Sequence, residues 1–193
     1  MILFKDIEAF ILAGGKSLRM GEDKGLALLN GSPMITSVIK TLQSIPLEVK
    51  LITENPDYTQ FCLPLYKDKI KNKGPMGGLM TALQQTSAAY VLLLGCDMPF
   101  LTKKAIDHLI DNSRENMTTV AETNGFINPL LAIYPKSILP ELKVHLKYDR
   151  LKMQDFICSQ NHHKVKMDHF EKIEPNALTN INSREELKHW NRK

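Results

Sequence analysis

Apolar runs and glycine- or proline-rich breaks alternate along the first two thirds of the chain. Residues 7–12, Ile-Glu-Ala-Phe-Ile-Leu, read as a strand that runs into a glycine-rich loop. Beyond it, Ile35, Val38, Ile39 and Leu42 follow helical spacing, and Ser32-Pro33 predicts the helix start, with serine as N-cap and proline at the first helical position. Residues 49–53 predict a second strand, stopped by Asn55-Pro56-Asp57 because proline cannot continue a ladder, and a short helix follows. Residues 64–67 predict a third strand ending at Asp68. Gly74-Pro-Met-Gly-Gly78 then opens a helix with Met76, Leu79, Met80 and Leu83 inward. Residues 90–96 are continuously apolar up to Asp97, as expected of a strand buried on both faces of a parallel sheet. Thr102 caps a helix reaching about residue 113, and residues 117–122 and 130–134 add two strands.

Strands alternating with helices imply βαβ units, so the predicted fold is α/β, a Rossmann-like three-layer arrangement around a mostly parallel sheet. In such sheets ligands bind beyond the carboxyl ends of the strands, where the first loop, Asp68 and Asp97 all fall. The last third is less regular. Pro140 and the basic residues 143–152 interrupt the alternation, residues 143–150 are read as a solvated helix face in preference to a basic flap over an anionic acceptor, and residues 164–167 predict a short strand. Ser183-Arg-Glu-Glu186 is a capping box opening a final helix anchored by Leu187 and Trp190. At 193 residues the chain fits one domain, spanning 1–193, with no repeat or linker.

With 43% hydrophobic and 24% charged residues, the composition is that of an ordinary globular protein and excludes disorder. A net charge of +4 favours anionic small molecules but supplies no dense basic stripe for nucleic acid. The apolar runs fall far short of the roughly 20 residues that span a bilayer. Cleavage of the first residues as a leader would destroy the glycine-rich loop, so a cytoplasmic location is expected. Cys62, Cys96 and Cys158 contain no C-x-x-C pair and are expected to be reduced structural thiols. His162 and His163, adjacent and without nearby ligand partners, are expected at the surface.

The chemistry concentrates in Leu12-Ala-Gly-Gly-Lys-Ser-Leu-Arg-Met-Gly-Glu-Asp-Lys24. Gly14, Gly15 and Gly21 lack the Cβ that keeps a polyphosphate from backbone amides; Lys16, Arg19 and Lys24 add positive charge, and Ser17 a hydroxyl. Asp23 either orients a cation or caps a turn. A P-loop is excluded because its first glycine would fall on Phe10, and the dinucleotide fingerprint because Gly14 and Gly15 are adjacent. Lys24 is the principal predicted phosphate cation and Arg19 the second, a mobile ammonium and a fixed guanidinium fork, whereas Lys16 is read as solvated. Asp97, in Gly95-Cys-Asp-Met-Pro-Phe100, offers the hard carboxylate oxygen that a magnesium–nucleotide complex requires; alone, that segment fits a helix-capping or turn aspartate equally well.

The order L-A-G-G-x-S-x-R-M-G-x-D-K resembles the signature loop of the molybdenum cofactor guanylyltransferases, and Asp97 lies in a segment similar to their C-D-x-P-[FY] element. The resemblance implies a nucleotidyltransferase fold. It also implies nucleotide contacts from Leu12, Ala13, Gly14, Gly15 and Lys24, a nucleotide-binding Asp68, and a Mg2+ ligand at Asp97. The family's asparagine after the second strand aligns with either Thr53 or Asn55. Asn128 to Tyr134 resembles the P-L-x-A-x-Y strand, and Asn180-Ile-Asn182 the N-x-N motif on the acceptor side, although both asparagines suit turn positions equally well. The implied reaction joins GMP from GTP to phosphorylated molybdopterin, the molybdenum cofactor, releasing pyrophosphate. Other cofactor-biosynthesis proteins are the implied partners. The alternatives are a cytidylyltransferase acting on molybdopterin or a sugar or polyol phosphate, and a non-catalytic nucleotide-binding regulator. Leu12 before Ala-Gly-Gly and Gly74-Pro75 resemble the guanylyl branch.

Overall fold

A computed structural model describes residues 2–14 and 23–192. In chain order the strands are β1 (Ile7–Leu12), β2 (Leu28–Leu29), β3 (Ser32–Pro33), β4 (Glu48–Ile52), β5 (Leu65–Tyr66), β6 (Tyr90–Gly95), β7 (Thr118–Thr123), β8 (Phe126–Pro135) and β9 (His162–Lys166). The helices are α1 (Met34–Gln43), α2 (Gly74–Gln85), α3 (Lys103–Asp111), α4 (Leu139–Lys147), α5 (Met153–Cys158), α6 (Phe170–Ile173) and α7 (Arg184–Trp190). A seven-stranded sheet takes the order β5-β4-β1-β6-β8-β7-β9, and β2 pairs with β3 in a small hairpin. Within the large sheet β8 alone runs antiparallel to its neighbours, β6 and β7.

The alternation of side chains across the sheet explains the apolar run in β6. Leu92 and Leu94 join Ile35, Val38 and Leu109 in a core on the α1 and α3 face, while Val91 and Leu93 join Leu79, Leu83, Leu142 and Phe156 on the α2, α4 and α5 face. β1 lies between β4 and β6, the strands that follow it on either side. That is the switch point where a crevice opens at the carboxyl ends of the strands.

Several local expectations shift. Ser32 and Pro33 form β3 rather than the first turn of α1, and Pro33 is the N-cap, without a side-chain cap hydrogen bond. Tertiary contacts replace the serine cap: Met34 N donates to the Ala27 carbonyl at 2.9 Å and Ile35 N to the Gly25 carbonyl at 3.0 Å. At α7, Ser183 accepts from Glu186 N at 3.2 Å as expected, but the Glu186 carboxylate takes Asn182 N at 2.6 Å. All three cysteines are free thiols, as expected; Cys96 is buried, whereas Cys62 and Cys158 are exposed. His162 and His163 are half-buried on β9 rather than at the open surface. Among the described residues no helix is long and apolar enough to cross a membrane.

Candidate active site

β1 delivers Leu12, Ala13 and Gly14 to the crevice, with Ala13 N donating to the Ile52 carbonyl at 2.9 Å and Cys96 N to the Leu12 carbonyl at 3.2 Å. Gly14 adopts φ +113°, which side chains rarely tolerate, and a Cβ there would lie 3.3 Å from Thr53 Oγ1. Leu12 presses against the start of α2 so closely that a Cβ on Gly78 would stand 2.6 Å from its Cδ2. Gly15, Lys16, Ser17, Arg19 and Gly21 lie outside the described residues.

Lys24 stands beside Asp97 in this crevice. Its Nζ is 2.6 Å from Asp97 Oδ2 and donates to Asn182 Oδ1 at 2.7 Å, with the ammonium and the carboxylate both largely shielded from solvent. Asp97 stands just past β6, and Gly95 leaves it room, since a Cβ there would come within 2.5 Å of Oδ1. That Oδ1 is buried and has no hydrogen-bond partner among the described residues. An orphaned carboxylate oxygen suits a hard divalent cation. Ile181 N donates to the Asp97 carbonyl at 2.9 Å, drawing in the segment that carries Asn182. Burial and the Asp97 charge push the Cys96 thiol up to about 12, so it stays protonated and is no nucleophile.

Asp23 neither contacts Asp97 nor faces outward. Its Oδ1 accepts from the Tyr58 hydroxyl at 2.5 Å and from Gly25 N at 3.1 Å, and its Oδ2 accepts from Asn55 Nδ2 at 3.0 Å. Asn55 Oδ1 in turn accepts from Asp57 N at 2.9 Å, capping a 3-10 turn over Pro56–Phe61, so both ends of that amide are engaged. Thr53 Oγ1 accepts from Asn55 N at 3.1 Å and keeps its proton to donate. Burial and the Glu54 charge hold the Asp68 carboxyl above its ordinary range, against a hydrogen bond from Thr81 on α2; its contacts are there rather than with Lys24 or Asp97. Asn182 reaches the Lys24–Asp97 pair, whereas Asn180 lines a groove of about 340 Å³ with Asn128, Phe126 and Gln154. Sequence reasoning passed over Tyr58. A single aromatic in a 3-10 turn has no periodicity to betray it, and only its place two residues after proline marks it.

Residues 9–164 match the MobA-like NTP transferase domain. The chain belongs to that family. It is 36% identical over 186 residues to a probable molybdenum cofactor guanylyltransferase of Flavobacterium johnsoniae, with 96% of each chain covered. A second probable molybdenum cofactor guanylyltransferase, of Carboxydothermus hydrogenoformans, is 34% identical over 93% of this chain and 92% of its own. Molybdopterin-guanine dinucleotide biosynthesis protein A of Archaeoglobus fulgidus superposes with a TM-score of 0.81 at 21% identity, covering 96% of this chain and 97% of its own, and shows the shared fold. Family membership makes this MobA-like chain a nucleotidyltransferase, and the predicted Rossmann-like, mostly parallel fold is the one observed.

Proposed function

We propose that the protein transfers GMP from GTP to phosphorylated molybdopterin, giving the guanine dinucleotide cofactor and pyrophosphate. The observation that carries this reading is the convergence of Lys24, Asp97 and Asn182, in which the glycine-loop lysine, the strand-end aspartate and the acceptor-side asparagine share one hydrogen-bonded cluster. The similarity to molybdenum cofactor guanylyltransferases over nearly the whole chain supports the choice of substrates over the cytidylyl alternatives.

In this reading a terminal phosphate oxygen of the pterin attacks the α-phosphorus of GTP, and the bond to the β-phosphate oxygen breaks. The attacking oxygen is already ionised at neutral pH, so no protein base is required, and positioning and electrostatics supply the catalysis. Lys24 places an ammonium against the phosphate charge, and Arg19 adds a guanidinium from the same loop. Leu12, Ala13, Gly14 and Gly15 bring backbone against the nucleotide. Thr53 is the better donor to base or ribose, because Asn55 is committed to Asp23 and Asp57. Asp68 sits beyond β5 as a further nucleotide contact, and Asn180 and Asn182 face the acceptor. Asp97 would hold Mg2+ through the buried Oδ1, and the ion, when bound, neutralises phosphate charge. We place this chemistry in the cytoplasm, on one domain spanning the 193 residues.

Calorimetry of GTP, CTP and ATP with Mg2+, on the wild type and Asp97→Asn together, tests the reading. GTP alone should bind tightly, the variant should bind it more weakly, and pyrophosphate should appear only when the pterin is added. Preference for CTP would move the function to a cytidylyltransferase, and retained turnover in Asp97→Asn would overturn the metal assignment.

A further inference from the structure

Lys24 is flanked by two anchored residues, Asp23 through its backbone and side chain and Gly25 through its backbone. The Asp23 carboxylate accepts from Tyr58, Asn55 and Gly25, and its carbonyl accepts from Leu26 N and Ala27 N at 3.1 Å each. Gly25 is wedged so tightly that a Cβ would overlap the Tyr58 hydroxyl and stand 3.2 Å from Cys96 Sγ, while its carbonyl accepts from Ile35 N at 3.0 Å. The Tyr58 side chain is wholly buried beneath this turn. Burial, aided by the nearby Cys96 and Asp23, holds its hydroxyl pKa far above the ordinary range, so it remains a donor throughout the working pH range.

We infer that Tyr58 is a positioning residue for the transfer reaction, setting through Asp23 where the Lys24 ammonium sits. This rests on the reading of Lys24 as the phosphate cation. The geometry makes the case because nothing in Tyr58 is offered to substrate. The ring is buried, and its one polar atom is spent on the residue preceding Lys24. The turn that carries Tyr58 is capped by Asn55, three residues past the Ile52 end of β4, so the same latch ties the segment with Thr53, proposed to read the base, to the lysine proposed to read the phosphates. A long lysine side chain loses more entropy on ordering than a short one, and fixing its backbone from both neighbours leaves only the stem to be ordered in the transition state.

Tyr58→Phe keeps the ring and removes the hydroxyl. The expected result is a fall of about tenfold in kcat for GMP transfer with KM for GTP changed less than about twofold, the signature of a group acting in the transition state. The deciding measurement is a double-mutant cycle with Lys24→Ala, run as single turnovers on the full chain. Tyr58→Phe should have no further effect once Lys24 is gone. Full activity in Tyr58→Phe, or an equal loss with and without Lys24, would overturn the latch. An undiminished rate in Lys24→Ala alone would show instead that the phosphate reading of Lys24 had failed, and the latch would fall with it. Should Tyr58→Phe not fold, Asp23→Asn is read in the same cycle with the same outcomes.

Discussion

A lysine–carboxylate pair stands at each end of the central sheet, and the two differ in what is left over. At the amino ends, Glu8 on β1 meets Lys50 on β4 at 2.7 Å; Glu8 also accepts from the Thr86 hydroxyl at 2.8 Å and the Ser87 hydroxyl at 2.5 Å. Lys50 has a second carboxylate, Glu48, at 3.4 Å, and lies over the Phe10 ring. Both carboxylate oxygens of Glu8 are spoken for. At the carboxyl ends, Lys24 meets Asp97 at 2.6 Å, yet one oxygen of Asp97 is buried with no partner among the described residues. The first pair is a finished structural element. The second keeps acceptor capacity unused among the described residues where the strands open, and under the proposed function that oxygen is the one that would take the metal.

The comparison breaks most sharply at Glu8. Glu8→Ala leaves Lys50 and two hydroxyls without their acceptor in a buried site and should lower unfolding free energy by about 3–5 kcal/mol in urea titrations, with kcat unchanged well below the melting temperature. The double replacement Glu8→Leu with Lys50→Met should recover most of that loss, since a well-packed apolar pair avoids the desolvation of both charges. Burial pushes the Glu8 carboxyl up, but hydrogen bonds from Lys50, Ser87 and Thr86 with the Lys50 charge outweigh it and leave it below its ordinary value of 4.5. Its stabilisation is therefore present above that range and disappears as pH falls through the lower folded value. The stability gap between wild type and Glu8→Ala should narrow from pH 7 to pH 3.

At the other end the effects invert. Asp97→Asn should reduce kcat by about 10²–10³-fold, the range for removing one preorganised electrostatic group, while leaving the melting temperature nearly unchanged. No apolar replacement of Lys24 and Asp97 should restore turnover. Gly25→Ala forces a methyl against Tyr58 and Cys96 and should cost about 1–3 kcal/mol by overpacking, with the rate loss exceeding what the unfolded fraction explains. The half-exposed pair of Lys103 with Asp107 on α3 marks the lower limit: Lys103→Ala should change stability by under about 1 kcal/mol and the rate not at all.

What the sequence made legible follows from which signals are local. β6 was readable because burial on both faces leaves an unbroken apolar run, and α2 because its inward positions keep helical spacing. The start of α1 was misread because its first amides are satisfied by Gly25 and Ala27, contacts that no N-cap rule contains. The antiparallel sense of β8 was equally hidden, since alternation along a strand carries no direction. In the site, Gly14, Lys24 and Asp97 stood out through motif order, and the structure does bring Lys24, Asp97 and Asn182 together. Asp23 was left between a cation and a turn because its partners, Tyr58 and Asn55, come from 35 and 32 residues away.

The bond from Lys24 to Asn182 joins residues 158 positions apart, and Asn182 lies past the end of the matched family domain at residue 164. A growing polypeptide can pair β1, β4, β5 and β6 long before that asparagine leaves the ribosome. The Lys24–Asn182 bond is thus closed only after those strands have emerged, and a chain cut ahead of Asn182 would keep them while Lys24 lost one of its two side-chain partners and kept Asp97.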